Sequence, residues 1–215
     1  MIKSIYNKHL SEFKDIHKGQ TAIIFATGLS LNKYKPLENS KDFIKFGLNR
    51  IYDYPTILDS LDYYYYGSHY YLDKSHQKNI ENVCSNKNIK TFASAYENGL
   101  SHTIINRGNI SPERAIELNS IPFENTLDVF TNDVANYCTF GNSIVFPALQ
   151  HILYMGFSTI YLVGCDGGFT QGQTSGDDHL LYCWHKFLIF QKKFYPDVKI
   201  ISVNPVSLKG WFEHI

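Results

Sequence analysis

Residues 141 to 179, GNSIVFPALQHILYMGFSTIYLVGCDGGFTQGQTSGDDH, constrain the fold more than any other stretch. Ile144, Leu149, Ile152, Leu153 and Phe157 recur at roughly helical spacing, which predicts an amphipathic helix. Pro147 is tolerated only near a helix start, so the helix proper begins near Ile144. Gly156 follows the last turn and suits the left-handed conformation that ends a helix. Ser158 to Gly164 is short, apolar and rich in β-formers without alternation, as expected of a parallel strand covered on both faces. Asp166 stands just past its carboxyl end, where open α/β sheets bind ligands. The polar loop from Gly167 to Gly172 is therefore placed for chemistry. Gly141 to Ser143 form a loop whose backbone N–H groups could meet an anion.

The rest of the chain repeats this alternation. Residues 3 to 17 predict an amphipathic helix. Thr21 to Ala26 reads as a buried strand, followed by Thr27-Gly28-Leu29-Ser30. Gly28 permits close approach of backbone to a ligand, and Ser30 can cap a helix or meet a phosphate. One glycine satisfies neither the dinucleotide fingerprint nor the P-loop, so this turn is as readily structural as ligand-binding. Phe43 to Leu48 is a second strand, ending at Asn49 and Arg50; Asn49 reads as a nucleotide contact or a turn former, Arg50 as a phosphate contact or a surface charge. Leu61 to Tyr66 is a third strand, with His69 just beyond it. Residues 70 to 84 predict a helix, Ile89 to Ala93 a strand, Pro112 to Leu118 a short helix, Leu180 to Tyr195 a helix and Val198 to Val203 the last strand. Ser207 is placed to cap a final turn through Phe212. Strands alternating with helices predict an α/β, doubly wound, mostly parallel Rossmann-like sheet with helices on both faces.

At 215 residues the expectation is a single domain spanning 1–215, with an irregular lid segment at 95–137 and a short loop at 167–179. Lys+Arg and Asp+Glu both number 20, which argues against duplex nucleic acid as a partner, because such binding rests on phosphate neutralisation. Cys84, Cys138, Cys165 and Cys183 lack zinc-site spacing and read as reduced thiols of a cytoplasmic protein. No stretch approaches the ~20 apolar residues of a membrane span; peripheral contact with the inner face of a membrane stays open.

The segments IIFATGLSL, FGLNR and GNSIVFPALQHILYMGFSTIYLVGCDGGFTQGQT resemble a group of enzymes. It holds the motility-associated flagellin glycosyltransferases and the archaeal-type 6-hydroxymethylpterin diphosphokinase-like proteins. The same landmarks are similar to those of the bacterial lipooligosaccharide sialyltransferases. The likeness covers roughly residues 21 to 55 and 138 to 210. It implies a nucleotide-dependent transferase with a donor site at Thr27, Gly28, Ser30, Asn49, Arg50, Gly141, Asn142, Ser143, Asp166, Gly167 and Thr170. Thr27 stands where the sialyltransferases often have Asn, and Phe140 where they have Ser.

Two reactions follow from the resemblance. In the first, a sialic-acid-like sugar passes from a CMP-activated donor to a glycan or other hydroxyl acceptor, with no cofactor. His179 then matches the lid histidine as general base, with Asp178 orienting it and His185 as the alternative base; Thr174 and Tyr182 offer hydroxyls to the leaving phosphate. In the second, ATP gives diphosphate to a pterin alcohol, and magnesium is held by Asp166, Asp177 and Asp178. Asp177-Asp178-His179 reads equally as an acidic helix start. A third reading is a nucleotide-binding module without catalysis.

Overall fold

The computed structural model describes residues 8–67, 73–95, 115–121, 130–135, 138–139, 141, 143–168 and 177–215. Its strands are β1 (Thr21–Phe25), β2 (Ile44–Leu48), β3 (Tyr63–Gly67), β4 (Lys90–Ala95), β5 (Ala115–Ile121), β6 (Cys138–Thr139), β7 (Thr159–Val163), β8 (Lys199–Val203) and β9 (Glu213–His214). Its α-helices are α1 (Lys8–Ser11), α2 (Pro55–Leu58), α3 (Lys74–Ser85), α4 (Val145–Tyr154) and α5 (Asp178–Phe194). The strands form one sheet in the order β6-β5-β4-β3-β2-β1-β7-β8-β9. Every pairing between them is parallel. The chain winds outward from β1 through β6, then returns to place β7 on the other side of β1 and winds outward again. The reversal puts a crevice beside β1, at the carboxyl ends of β1, β2 and β7.

Side chains that alternate along β1 divide the core. Ala22 and Ile24 face one buried cluster, and Ile23 and Phe25 the other. The first cluster holds α4 and the inner face of α5. The second receives Ile80, Val83 and Cys84 of α3. With both faces covered, strands need no polar side, which explains the apolar runs of the sequence. The tyrosines of β3 follow the same rule. Tyr63 and Tyr65 enter the first cluster, Tyr64 and Tyr66 the second, and all four are buried.

Several expectations change. The helix after Ser143 forms as expected but keeps no exposed face, because all ten residues of α4 are buried. Chain on its outer side supplies the cover: the Asp15, His17 and Gly19 N–H groups donate to Tyr154, Met155 and Gly156 carbonyls. Buried Gln150 fills its full hydrogen-bond capacity there. Its Oε1 accepts from Thr131 N and Thr139 N, and its Nε2 donates to the Thr139 and Phe146 carbonyls. The helix expected at Pro112 to Leu118 is replaced, over its described part, by β5, which pairs with β4 from Thr91↔Ala115 to Ala95↔Asn119. An open strand edge outweighs the weak helical preference of a short segment. The helix expected over residues 3 to 17 is described only as α1, followed by turns in which Asp15 takes φ 57°. The sheet also extends past β8, since the Leu208–Phe212 turn leads into β9 instead of ending the chain's structure. Among the described residues no helix is long and apolar enough to cross a membrane.

Candidate functional site

A cleft of about 370 Å³ opens at the strand carboxyl ends. Ala26 to Leu29 after β1, Leu48 and Asn49 after β2, and Gly164 to Gly168 after β7 form its floor and walls. Ser143 to Val145 at the start of α4, and Leu180 and Trp184 of α5, close the other sides.

The turns after β1 and β7 are laced together. Ala26 N donates to Val163 O at 2.8 Å, Gly28 N to Gly164 O at 2.9 Å, and Ser30 N to Asp166 Oδ2 at 2.7 Å. Gly28 is required by proximity, not by its dihedrals: a Cβ there would lie 2.5 Å from both Asp166 Oδ2 and Gly164 O. Asp166 is only 3% exposed. Ser30 is buried as well and does not line the cleft, so its backbone serves the clamp in place of the expected phosphate contact.

Asn49 has φ 46°, a left-handed conformation that Asn tolerates better than most residues. Its side-chain Oδ1 accepts from Gly67 N at 2.9 Å, and its carbonyl accepts from Tyr64 Oη at 2.7 Å. Both oxygens tie β2 to β3, which leaves the Asn49 amide NH₂ for the cleft. Arg50 points elsewhere, into an exposed ion pair with Asp53 at 2.8 Å. Gly141 is buried beneath Phe146 and does not line the cleft. Ser143 does, and its Oγ accepts from Val145 N at 3.4 Å. Asn142, Thr170, Thr174, Phe140, His69, most of the 95–137 segment and the 169–176 part of the loop lie outside the described residues.

Helical phase disperses the residues expected to catalyse. On α5, Leu180 and Trp184 are four apart and share the cleft side. Asp178, Tyr182, His185 and Ile189 follow one another along the exposed side. Tyr182 lies beneath Lys186 Nζ, 5.4 Å from the ring centroid, and the His185 ring stands edge-on to Trp211. His179 is exposed in the first turn, next to Leu180, with Nε2 3.7 Å from Cys183 Sγ. Successive helical positions diverge by about 100°, so Asp178 and His179 leave the helix in different directions. Asp177 is the N-cap, accepting from Leu180 N at 2.8 Å.

The carboxylates expected to hold magnesium are therefore not assembled. Asp166 anchors a turn, Asp177 caps a helix and Asp178 lies on the exposed stripe. Among the described residues no group of three or more His, Cys, Asp or Glu is placed to hold a metal ion. Among the described residues this donor set does not fit a magnesium–triphosphate site. Cys165 lines the cleft, but burial and the neighbouring Asp166 push its thiol up, which keeps it protonated and poorly nucleophilic.

The sequence named Thr27, Gly28, Asn49, Ser143, Asp166 and Gly167, all of which line the cleft. It did not name Leu29, Leu48, Val145, Leu180 or Trp184. Their strand-end and helix-start positions carried a signal, but which helix face meets the cleft is decided by packing.

No protein-family model matches the chain, and no curated protein matches it by sequence. Solved structures do match. The monofunctional α-2,3-sialyltransferase Cst-I from Campylobacter jejuni is 16% identical with a TM-score of 0.50, over 86% of this chain and 75% of that one. The sialyltransferase CstII from Campylobacter jejuni in complex with the substrate analogue CMP-3FNeuAc is 17% identical with a TM-score of 0.52, over 91% and 85%. CST-II in complex with a trisaccharide acceptor and CMP is 15% identical with a TM-score of 0.51, over 91% and 86%. These superpositions show that this chain has the fold of the Campylobacter jejuni sialyltransferases.

Proposed function

We propose that the chain is a glycosyltransferase that moves a sialic-acid-like sugar from a CMP-activated donor to a hydroxyl acceptor. The observation that carries this reading is the cleft at the carboxyl ends of β1, β2 and β7, in a fold shared with sialyltransferases solved with CMP and with a CMP-sugar analogue. The Asn49 amide and the close-packed Thr27-Gly28 backbone offer neutral hydrogen-bonding surface to a nucleotide. Ser143 and the start of α4 offer a hydroxyl and a helix N-terminus to its phosphate. In the reaction the acceptor oxygen bonds to the anomeric carbon, the bond from that carbon to the phosphate oxygen breaks, and CMP leaves with the electron pair. The hydroxyl proton passes to a base. His179 serves as that base in this reading, since it is solvent-accessible in the first turn of α5, the helix that closes one side of the cleft, and histidine is the side chain most often used as a general base.

Calorimetric titration with CMP and with ATP, each with and without magnesium, tests the donor class. Metal-independent CMP binding is expected; binding of ATP alone, and only with magnesium, would transfer the reading to diphosphate transfer. His179→Ala is expected to lower turnover by about a hundredfold or more while CMP affinity stays within about twofold. Turnover close to wild type in that variant removes His179 from the mechanism.

A further inference from the structure

Asp166 uses only half of its carboxylate on the fold. Oδ2 accepts from Ser30 N at 2.7 Å and so holds the turn after β1. Oδ1 is buried and has no hydrogen-bond partner among the described residues. A buried carboxylate oxygen without a donor is costly, and such groups are ordinarily satisfied. The residue forms part of the cleft wall, and Gly28 beside it carries no side chain to shield it.

The chemistry of that oxygen restricts what can meet it. It accepts hydrogen bonds and donates none, and it repels phosphate and carboxylate groups. A CMP-sugar carries both of those anions near the reacting bond. Its neutral donors on the nucleoside side of the phosphate are the amine of the base and the hydroxyls of the ribose. We propose that Asp166 Oδ1 accepts a hydrogen bond from a neutral N–H or O–H donor of the nucleoside, making Asp166 a specificity-determining residue. This rests on the nucleotide-binding reading above. It also orients the ligand: the nucleoside lies over the end of β7 at Asp166, and the phosphate is directed away from it, towards the start of α4.

Asp166→Asn separates the two roles. The amide keeps one oxygen for Ser30 N–H and puts an NH₂ where the free acceptor stood. Asp166→Ser, with a single oxygen for the turn, is the second variant should the first be poorly folded by thermal unfolding. The full chain and both variants are titrated with CMP, UMP, 2′-deoxy-CMP and 3′-deoxy-CMP. The wild type is expected to bind CMP about tenfold or more tightly than at least one analogue, because a site left with an unpaired buried acceptor rejects a ligand lacking the donor. In the variants the same gap is expected to narrow to about threefold or less. Loss against UMP identifies the base amine as the donor, and loss against a deoxynucleotide identifies the ribose. Wild-type affinities all within about threefold, or a gap that persists unchanged in the folded variants, overturn the inference while leaving CMP binding intact. Failure of the wild type to bind either CMP or UMP instead overturns the nucleotide reading, and this inference with it.

Discussion

Gly164→Ala is expected to destabilise the chain by about 2–4 kcal/mol. Two effects add. Gly164 has φ 70°, where an L side chain is strained. Its new Cβ would also lie 2.1 Å from the Ala26 carbonyl oxygen and 2.7 Å from the Ala26 carbonyl carbon. Those atoms are backbone, and they cannot retreat without breaking the bonds from Ala26 N to Val163 O and from Gly28 N to Gly164 O. The strain therefore spreads to the turn that carries Gly28 and to the cleft wall it forms. Gly19→Ala provides the control. Gly19 has φ 78° but nothing within 4 Å of the place its new Cβ would take, so only the dihedral cost, about 1 kcal/mol, applies there. Urea unfolding of both variants against wild type separates the steric part from the dihedral part. Equal losses in the two would show that the turns after β1 and β7 are not rigidly clamped.

β1, β2, β3, β4, β7 and β8 were legible in the sequence because strands covered on both faces are written as short runs dominated by apolar residues, and Tyr63 to Tyr66 is such a run. β6 and β9 have two residues each, too short for any pattern, and they exist because a neighbouring edge offers a ladder. The full burial of α4 was hidden for a different reason. Its polar members Gln150 and His151 suggest an outward face, yet both are 0% exposed and find partners inside.

The cleft was legible where it depends on strand ends and illegible where it depends on helix phase. Gly28 and Asp166 stand at carboxyl ends of strands, and the sheet's topology brings strand ends together. Local sequence does not say that Gly28 needs to be glycine because Asp166, far along the chain, occupies the space of its Cβ. The Asp177-Asp178-His179 triplet looked like a catalytic cluster because its members are adjacent in sequence. In α5 adjacency separates them, while Leu180 and Trp184, unremarkable as letters, share the wall.

His151 is expected to make the fold acid-sensitive well above the usual carboxylate range. It is 0% exposed, shares a 2.8 Å hydrogen bond through Nδ1 with Tyr65 Oη, and is ringed by Phe13 and Phe92 at 5.3 and 4.8 Å. Its Nε2 has no hydrogen-bond partner among the described residues. Burial lowers its pKa from 6.5 to about 3, so the native state keeps it neutral. The unfolded chain binds a proton there below pH 6.5 and the native chain does not until about pH 3. Stability from this group is thus constant above pH 6.5 and falls as the pH drops through the window, by about 1.4 kcal/mol per unit once the unfolded imidazole is charged. Over the whole window the loss is on the order of 5 kcal/mol, comparable to the entire stability of many domains. Urea midpoints at about pH 7, 6, 5 and 4 for the wild type and His151→Asn test it, because Asn keeps a polar atom near Nδ1 but does not titrate. The carboxylates act on both proteins and cancel in the difference. The variant is expected to start less stable at about pH 7, through the cavity it leaves, and to lose less on acidification. Parallel pH profiles for the two proteins would mean that His151 is protonated or hydrated in the native core.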